Sequence, residues 1–131
     1  MGGERDMALS EEAVKLHGPG FNCAQCVLGA AGKYTGLDAK TAEKIAAGFG
    51  GGVRSGEICG AISGAVIALG LLEEDKRAIA GLSRQCVEAF RQKYGCVRCI
   101  ELKRAGVSCD ELIAFGAAFV ENYQNNKQEK D

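Results

Sequence analysis

From Ile58 to Leu72 the chain is almost wholly apolar, and Gly60, Ala61, Gly64, Ala65 and Ala68 recur there at helical spacing. Glycine inside a helix costs about 1 kcal/mol relative to alanine. Two glycines one turn apart therefore imply that another backbone comes close to one nearly flat face. Glu57 and the run Glu73-Glu74-Asp75 bound the stretch. It falls short of the roughly 20 apolar residues of a membrane span, so the small-xxx-small pattern is not a membrane dimerisation motif here. The segment Glu57–Leu72 reads as a buried central helix, and the rest of the fold must be arranged around it.

Helix formers dominate elsewhere, with one proline, Pro19, inside the breaker Gly18-Pro19-Gly20. No run of alternating β-branched residues argues for a strand. The periodicity predicts helices over residues 7–17, from Asn22 to near Tyr34 with Gly36 as a stop, from Leu37-Asp38 through Ile45 to Gly48, and then 57–72. Further helices are predicted from about Glu74 to Tyr94, from Cys96 to Arg104, and from Cys109 to about Tyr123. Residues 125–131 read as a frayed polar tail. The predicted fold class is all-α: a single-domain helical bundle over residues 1–131, with about six or seven helices around the small-residue helix.

The chain has 131 residues, 47% hydrophobic and 25% charged, which suits one domain with a sizeable core. Sixteen basic against seventeen acidic residues, no Trp, five Phe and three Tyr leave no nucleic-acid footprint. Met1-Gly2-Gly3-Glu4-Arg5-Asp6 leads into no secretory apolar core, so a cytoplasmic location is the expectation. In that reducing setting seven cysteines, an odd number, do not suggest a disulfide framework. They suggest metal or redox chemistry.

The cysteines are placed at predicted helix starts. Asn22 precedes Cys23, with Gln25 set to close a capping box; Ser108 precedes Cys109, with Glu111 in the same role. Gly95 ends one helix just before Cys96, with Cys99 three residues on, and Cys59 follows Ser55-Gly56-Glu57 by about a turn. A helix start offers unpaired N–H groups and a partial positive charge, which favour thiolate over thiol. Cys23-x-x-Cys26 and Cys96-x-x-Cys99 form two C-x-x-C pairs. No His follows either pair, no βαβ context surrounds them, and their separation is too long for a small zinc ribbon.

Asn22-Cys23-Ala24, the run Gly56-Glu57-Ile58-Cys59-Gly60-Ala61-Ile62-Ser63-Gly64, and then Cys99 and Cys109 resemble the C-GCAxxG-C-C family, which is associated with redox activity. The likeness runs from about Phe21 to Cys109 and includes the loop Phe49-Gly50-Gly51-Gly52. It implies a small helical protein with four signature cysteines: Cys23, Cys59, Cys99 and Cys109. Two ligand sets compete, this signature set and the paired set Cys23, Cys26, Cys96 and Cys99. The signature set is favoured because its members fall on four separate helix starts that could converge.

Four thiols suit zinc or an iron–sulfur centre. The leading expectation is a [2Fe–2S] cluster held by Cys23, Cys59, Cys99 and Cys109 for electron transfer or redox sensing, with a redox partner protein of unknown identity. The alternative is a thiol–disulfide or peroxide-linked oxidoreductase using a cysteine pair, and the third reading is a structural zinc module. No catalytic residue is assigned beyond these thiols. No nucleic-acid or membrane partner is expected; a homodimer sharing the flat helix face is a further expectation.

The remaining motifs have plainer readings. Cys86 reads as core, and Cys26 is balanced between core and function. Gly50 to Gly56 lacks the Lys-Ser/Thr ending of a P-loop and reads as a tight turn that brings Cys59 close to other backbones. Arg54 there either screens a cluster or is solvated. His17, the only histidine, reads as a helix C-cap.

Overall fold

The structure is a computed structural model that describes residues 7–130, with side chains to residue 128. Eight α-helices order the described residues: α1 (Leu9–His17), α2 (Cys23–Ala30), α3 (Gly32–Thr35), α4 (Ala39–Ala46), α5 (Gly60–Leu72), α6 (Lys76–Tyr94), α7 (Cys99–Arg104) and α8 (Cys109–Lys130). Strands are absent from these residues apart from one isolated antiparallel bridge, Ile58 with Arg98. The all-α class holds. The polar stretch Met1–Asp6 and Asp131 lie outside the described residues.

Local chemistry sets most boundaries. The Asn22 side chain accepts from the Gln25 N–H at 2.8 Å, while the Gln25 side chain accepts from the Asn22 N–H at 2.9 Å, completing the box that opens α2. Asp38 caps α4 through the Thr41 N–H, and Ser108 caps α8 through the Glu111 N–H. Gly36, Gly95 and Gly106 end their segments in the left-handed region with φ of 80°, 81° and 81°.

Helix α5 occupies the centre and packs against α2, α6 and α8. Its small residues do what their spacing implied. A Cβ added at Gly64 would lie 2.7 Å from the Ala24 carbonyl oxygen of α2. One added at Gly116 of α8 would lie 2.9 Å from the Ala61 carbonyl oxygen of α5. Both sides of α5 are thus backbone-to-backbone seams. The flat face expected to serve a two-fold contact is consumed inside the chain. Phe90, Leu28, Leu69, Leu102 and Ile113 fill the remaining core, each fully buried. Truncating any of them to Ala would cost about 2–5 kcal/mol.

Four boundaries differ from the sequence expectation. The predicted second helix breaks at Ala31 into α2 and α3. Helix α5 begins at Gly60, so Cys59 is its N-cap residue rather than lying a turn inside. Helix α7 begins at Cys99, leaving Cys96 outside it. The last two have one cause: residues 57–59 and 97–99 run extended and clasp each other. The Cys59 N–H donates to the Val97 carbonyl at 2.9 Å, and the Cys99 N–H to the Glu57 carbonyl at 2.6 Å. Fourth, residues 125–130, expected to fray, continue α8, and Lys127 Nζ donates to the Leu72 carbonyl at 2.6 Å. No described helix is long and apolar enough to cross a membrane.

Candidate redox centre

The starts of four helices meet at one cavity of about 230 Å³. Cys23 is the first residue of α2, Cys99 of α7 and Cys109 of α8, and Cys59 caps α5. All four line the cavity, together with His17, Asn22, Arg54 and Lys103. Three contacts fix their spacing. A Cβ at Gly60 would stand 3.3 Å from the Cys23 Cβ and 3.0 Å from the Phe49 carbonyl oxygen, so α5 starts hard against α2. The clasp of residues 57–59 with 97–99 holds Cys59 beside Cys99. Cys109 then comes up against Cys23, each thiol within the other's electrostatic reach.

The cavity roof is a turn over Gly52–Gly56, closed by a hydrogen bond from the Glu57 N–H to the Gly52 carbonyl at 3.1 Å. Gly51, Gly52, Val53 and Arg54 hold φ values of 64°, 67°, 57° and 57°, four consecutive residues in the left-handed region. Glycine tolerates this, whereas each L-residue pays about 1–2 kcal/mol, and β-branched Val53 is the stronger outlier. The turn is therefore held by its surroundings. Gly50 packs onto the Asn22 side chain, and Arg54 donates to the Ala47 carbonyl at 3.3 Å. The tight-turn reading of this loop stands, and Arg54 faces the cavity.

Burial works against the thiolate at two of the four positions, Cys23 and Cys59. Burial, then the neighbouring Cys109 and Cys59 thiols, pushes Cys23 far above the ordinary thiol value. Burial raises Cys59 to about 11, although the Ala61 and Ile62 amides at the start of α5 pull the other way. Cys26 and Cys86 are each pushed up to about 12, first by burial. At Cys59 the helix-start amides act as the sequence suggested, but dehydration outweighs them. At neutral pH these sulfurs keep their protons unless something cationic replaces them.

The family model for the Putative redox-active protein (C_GCAxxG_C_C) matches residues 21–123. The chain belongs to this family. No curated protein and no solved structure matches it. Residues 21–123 take in all four of the gathered cysteines.

The donor set suits a soft metal. Among the described residues no group of three or more His, Cys, Asp or Glu side chains is set at metal-ligand spacing. Cys23 lies within electrostatic reach of Cys109 and Cys59, and Cys59 within reach of Cys99 and Cys109.

The other three cysteines divide differently from the C-x-x-C pattern. Cys26 is fully buried, with its thiol donating to the Phe21 carbonyl at 3.6 Å, and Cys96 likewise bonds the Tyr94 carbonyl at 3.8 Å. Cys86 is buried on α6 behind Cys59. None of the three lines the cavity. His17 was expected as a cap of α1; its Nδ1 donates to Asp110 Oδ1 at 2.6 Å, beside Cys109, and the ring lines the cavity. Lys103 was not foreseen at the site; only its position four residues after Cys99, on the same helix face, pointed to it.

Proposed function

We propose that Cys23, Cys59, Cys99 and Cys109 hold a two-iron, [2Fe–2S]-type centre that serves electron transfer or redox sensing. The observation that carries this reading is the convergence of four helix-start thiols on one cavity, since such a cluster takes four thiolates. Bound, the cluster accepts and returns a single electron. The chain's own groups do the rest. Cys23, Cys59, Cys99 and Cys109 would hold the iron as thiolates, their protons released to solvent on binding, and the metal charge would offset the dehydration that raises Cys23 and Cys59. Arg54 and Lys103 on the cavity wall would balance the negative charge of a tetrathiolate centre. The buried starts of α2 and α5 exclude water from one side.

Anaerobic purification tests this directly. Visible charge-transfer absorption with iron and acid-labile sulfide is expected. Cys59→Ser should abolish the colour and Cys86→Ser should retain it; the opposite pattern refutes the ligand set. Colourless protein carrying zinc would support the structural-module reading instead.

The close approach of Cys23 and Cys109 favours one second reading, thiol–disulfide exchange. In it the two thiols lose two electrons and two protons to a disulfide-bearing acceptor, which becomes a dithiol, and a Cys23–Cys109 bond forms. Metal-free protein that yields this crosslink with oxidised glutathione, seen by peptide mass, would select that reading over the first.

A further inference from the structure

The mouth of the cavity opens beside a face made by the left-handed turn and α7. Three of the six exposed large apolar side chains among the described residues lie here: Val53, Ile58 and Ile100, at 50%, 38% and 38% exposure. They belong to one continuous surface. A Cβ on Gly56 would sit 3.1 Å from the Ile100 Cβ, and Ile58 is paired with Arg98 in the antiparallel bridge. Around them stand exposed Arg54, Arg98, Lys103 and Arg104 against Glu57 and Glu101. Arg98 spends its charge on both carboxylates, at 3.2 Å and 3.6 Å. Arg104 shares the helix face of Ile100, four residues on, and Lys103 shares that of Cys99. A chain of net charge −1 thus carries a cationic, part-apolar face next to its buried sulfurs.

We infer that this face docks an acidic electron-carrying protein, an inference that rests on the redox-centre reading. Exposed apolar side chains ringed by charge mark a protein contact, and complementary charge steers encounter. The two-fold alternative would bring together two faces on which Arg54, Arg98, Lys103 and Arg104 outnumber Glu57 and Glu101. An anionic lipid surface would meet Glu57 and Glu101, which a protein face can match with its own cations.

The test uses the metal-loaded full chain and a plant-type ferredoxin as the acidic one-electron carrier. Anaerobic stopped-flow reduction is measured at about 20 and about 300 mM salt, a range over which screening changes strongly. Binding of fluorescently labelled ferredoxin is followed separately by anisotropy. Rate and affinity should both fall about tenfold or more with salt. At low salt Arg104→Glu should lower both by about tenfold, and Ile100→Thr should weaken binding at either salt. Reduction by a small-molecule reductant should be unchanged in both variants. Binding indifferent to salt and to both variants overturns the proposal. So does self-association, or retention on phosphatidylglycerol vesicles, that Arg104→Glu abolishes. Protein that takes up no iron on anaerobic reconstitution yet binds ferredoxin in this manner would sink only the redox-centre reading. Metal-loaded protein that ignores ferredoxin would sink only the docking.

Discussion

Adding one methyl group to Gly64 of α5 separates the packing role of the small residues from helix propensity. The new Cβ would stand 2.7 Å from the Ala24 carbonyl oxygen and 3.2 Å from the Ala24 Cα, both main-chain atoms of α2. A backbone cannot swing aside as a side chain can, so α2 must retreat from α5 by about 0.7 Å to reach ordinary contact at 3.4 Å. Overpacking of this kind costs about 1–3 kcal/mol, against about 1 kcal/mol gained by replacing glycine with alanine in a helix. The control lies two turns on in the same helix. A Cβ at Gly70 meets nothing within 4 Å, so Gly70→Ala should collect the helix gain alone. Gly64→Ala should thus lower Tm while Gly70→Ala raises it, each kcal/mol being worth about 4 °C at this chain length. Cys23 rides on α2 and Cys59 caps α5, so Gly64→Ala should also reduce iron content after anaerobic reconstitution, while Gly70→Ala should not. Equal Tm shifts for both variants would refute the seam.

Two further outcomes follow from the buried thiols and the turn. Cys26, Cys59 and Cys86 hold their protons to about 12, 11 and 12, whereas the unfolded chain releases them near 9.0. Above that value the unfolded state binds fewer protons, so metal-free, reduced protein should have flat stability below pH 9 and lose it steadily toward pH 11. The slope is at most about 1.4 kcal/mol per pH unit for each thiol; Cys23 is raised as well, so Cys86→Ala should remove about a quarter of it in urea titrations. Val53→Gly relieves a β-branched residue at φ 57° and should raise stability by about 1 kcal/mol in the same assay; a decrease would show that the Val53 side chain carries the turn.

Much of this was legible because the signals are local. The Asn22–Gln25 box, Asp38, Ser108 and the terminating glycines each act within a few residues, and the helices they bound appear where expected. The four helix-start cysteines likewise come together. What sequence could not show depends on partners far along the chain. The clasp that delays α5 to Gly60 and α7 to Cys99 joins segments 40 residues apart, and nothing in either segment announces the other. The Cys59 sulfur does feel the amides of Ala61 and Ile62, but its burial is a property of the whole fold and reverses their effect. Lys127 anchors the end of α8 on the Leu72 carbonyl, a contact no polar tail composition foretells.

The clasp between residues 57–59 and 97–99 also dictates when the sulfur cage can exist. During synthesis Cys23 and Cys59 emerge first, yet the strand that fixes Cys59 is not made until Val97, and the final sulfur waits for Cys109. A nascent chain shorter than that presents thiols with no shared enclosure. On the proposed reading, a metal centre would have its full ligand set only once Cys109 has been added.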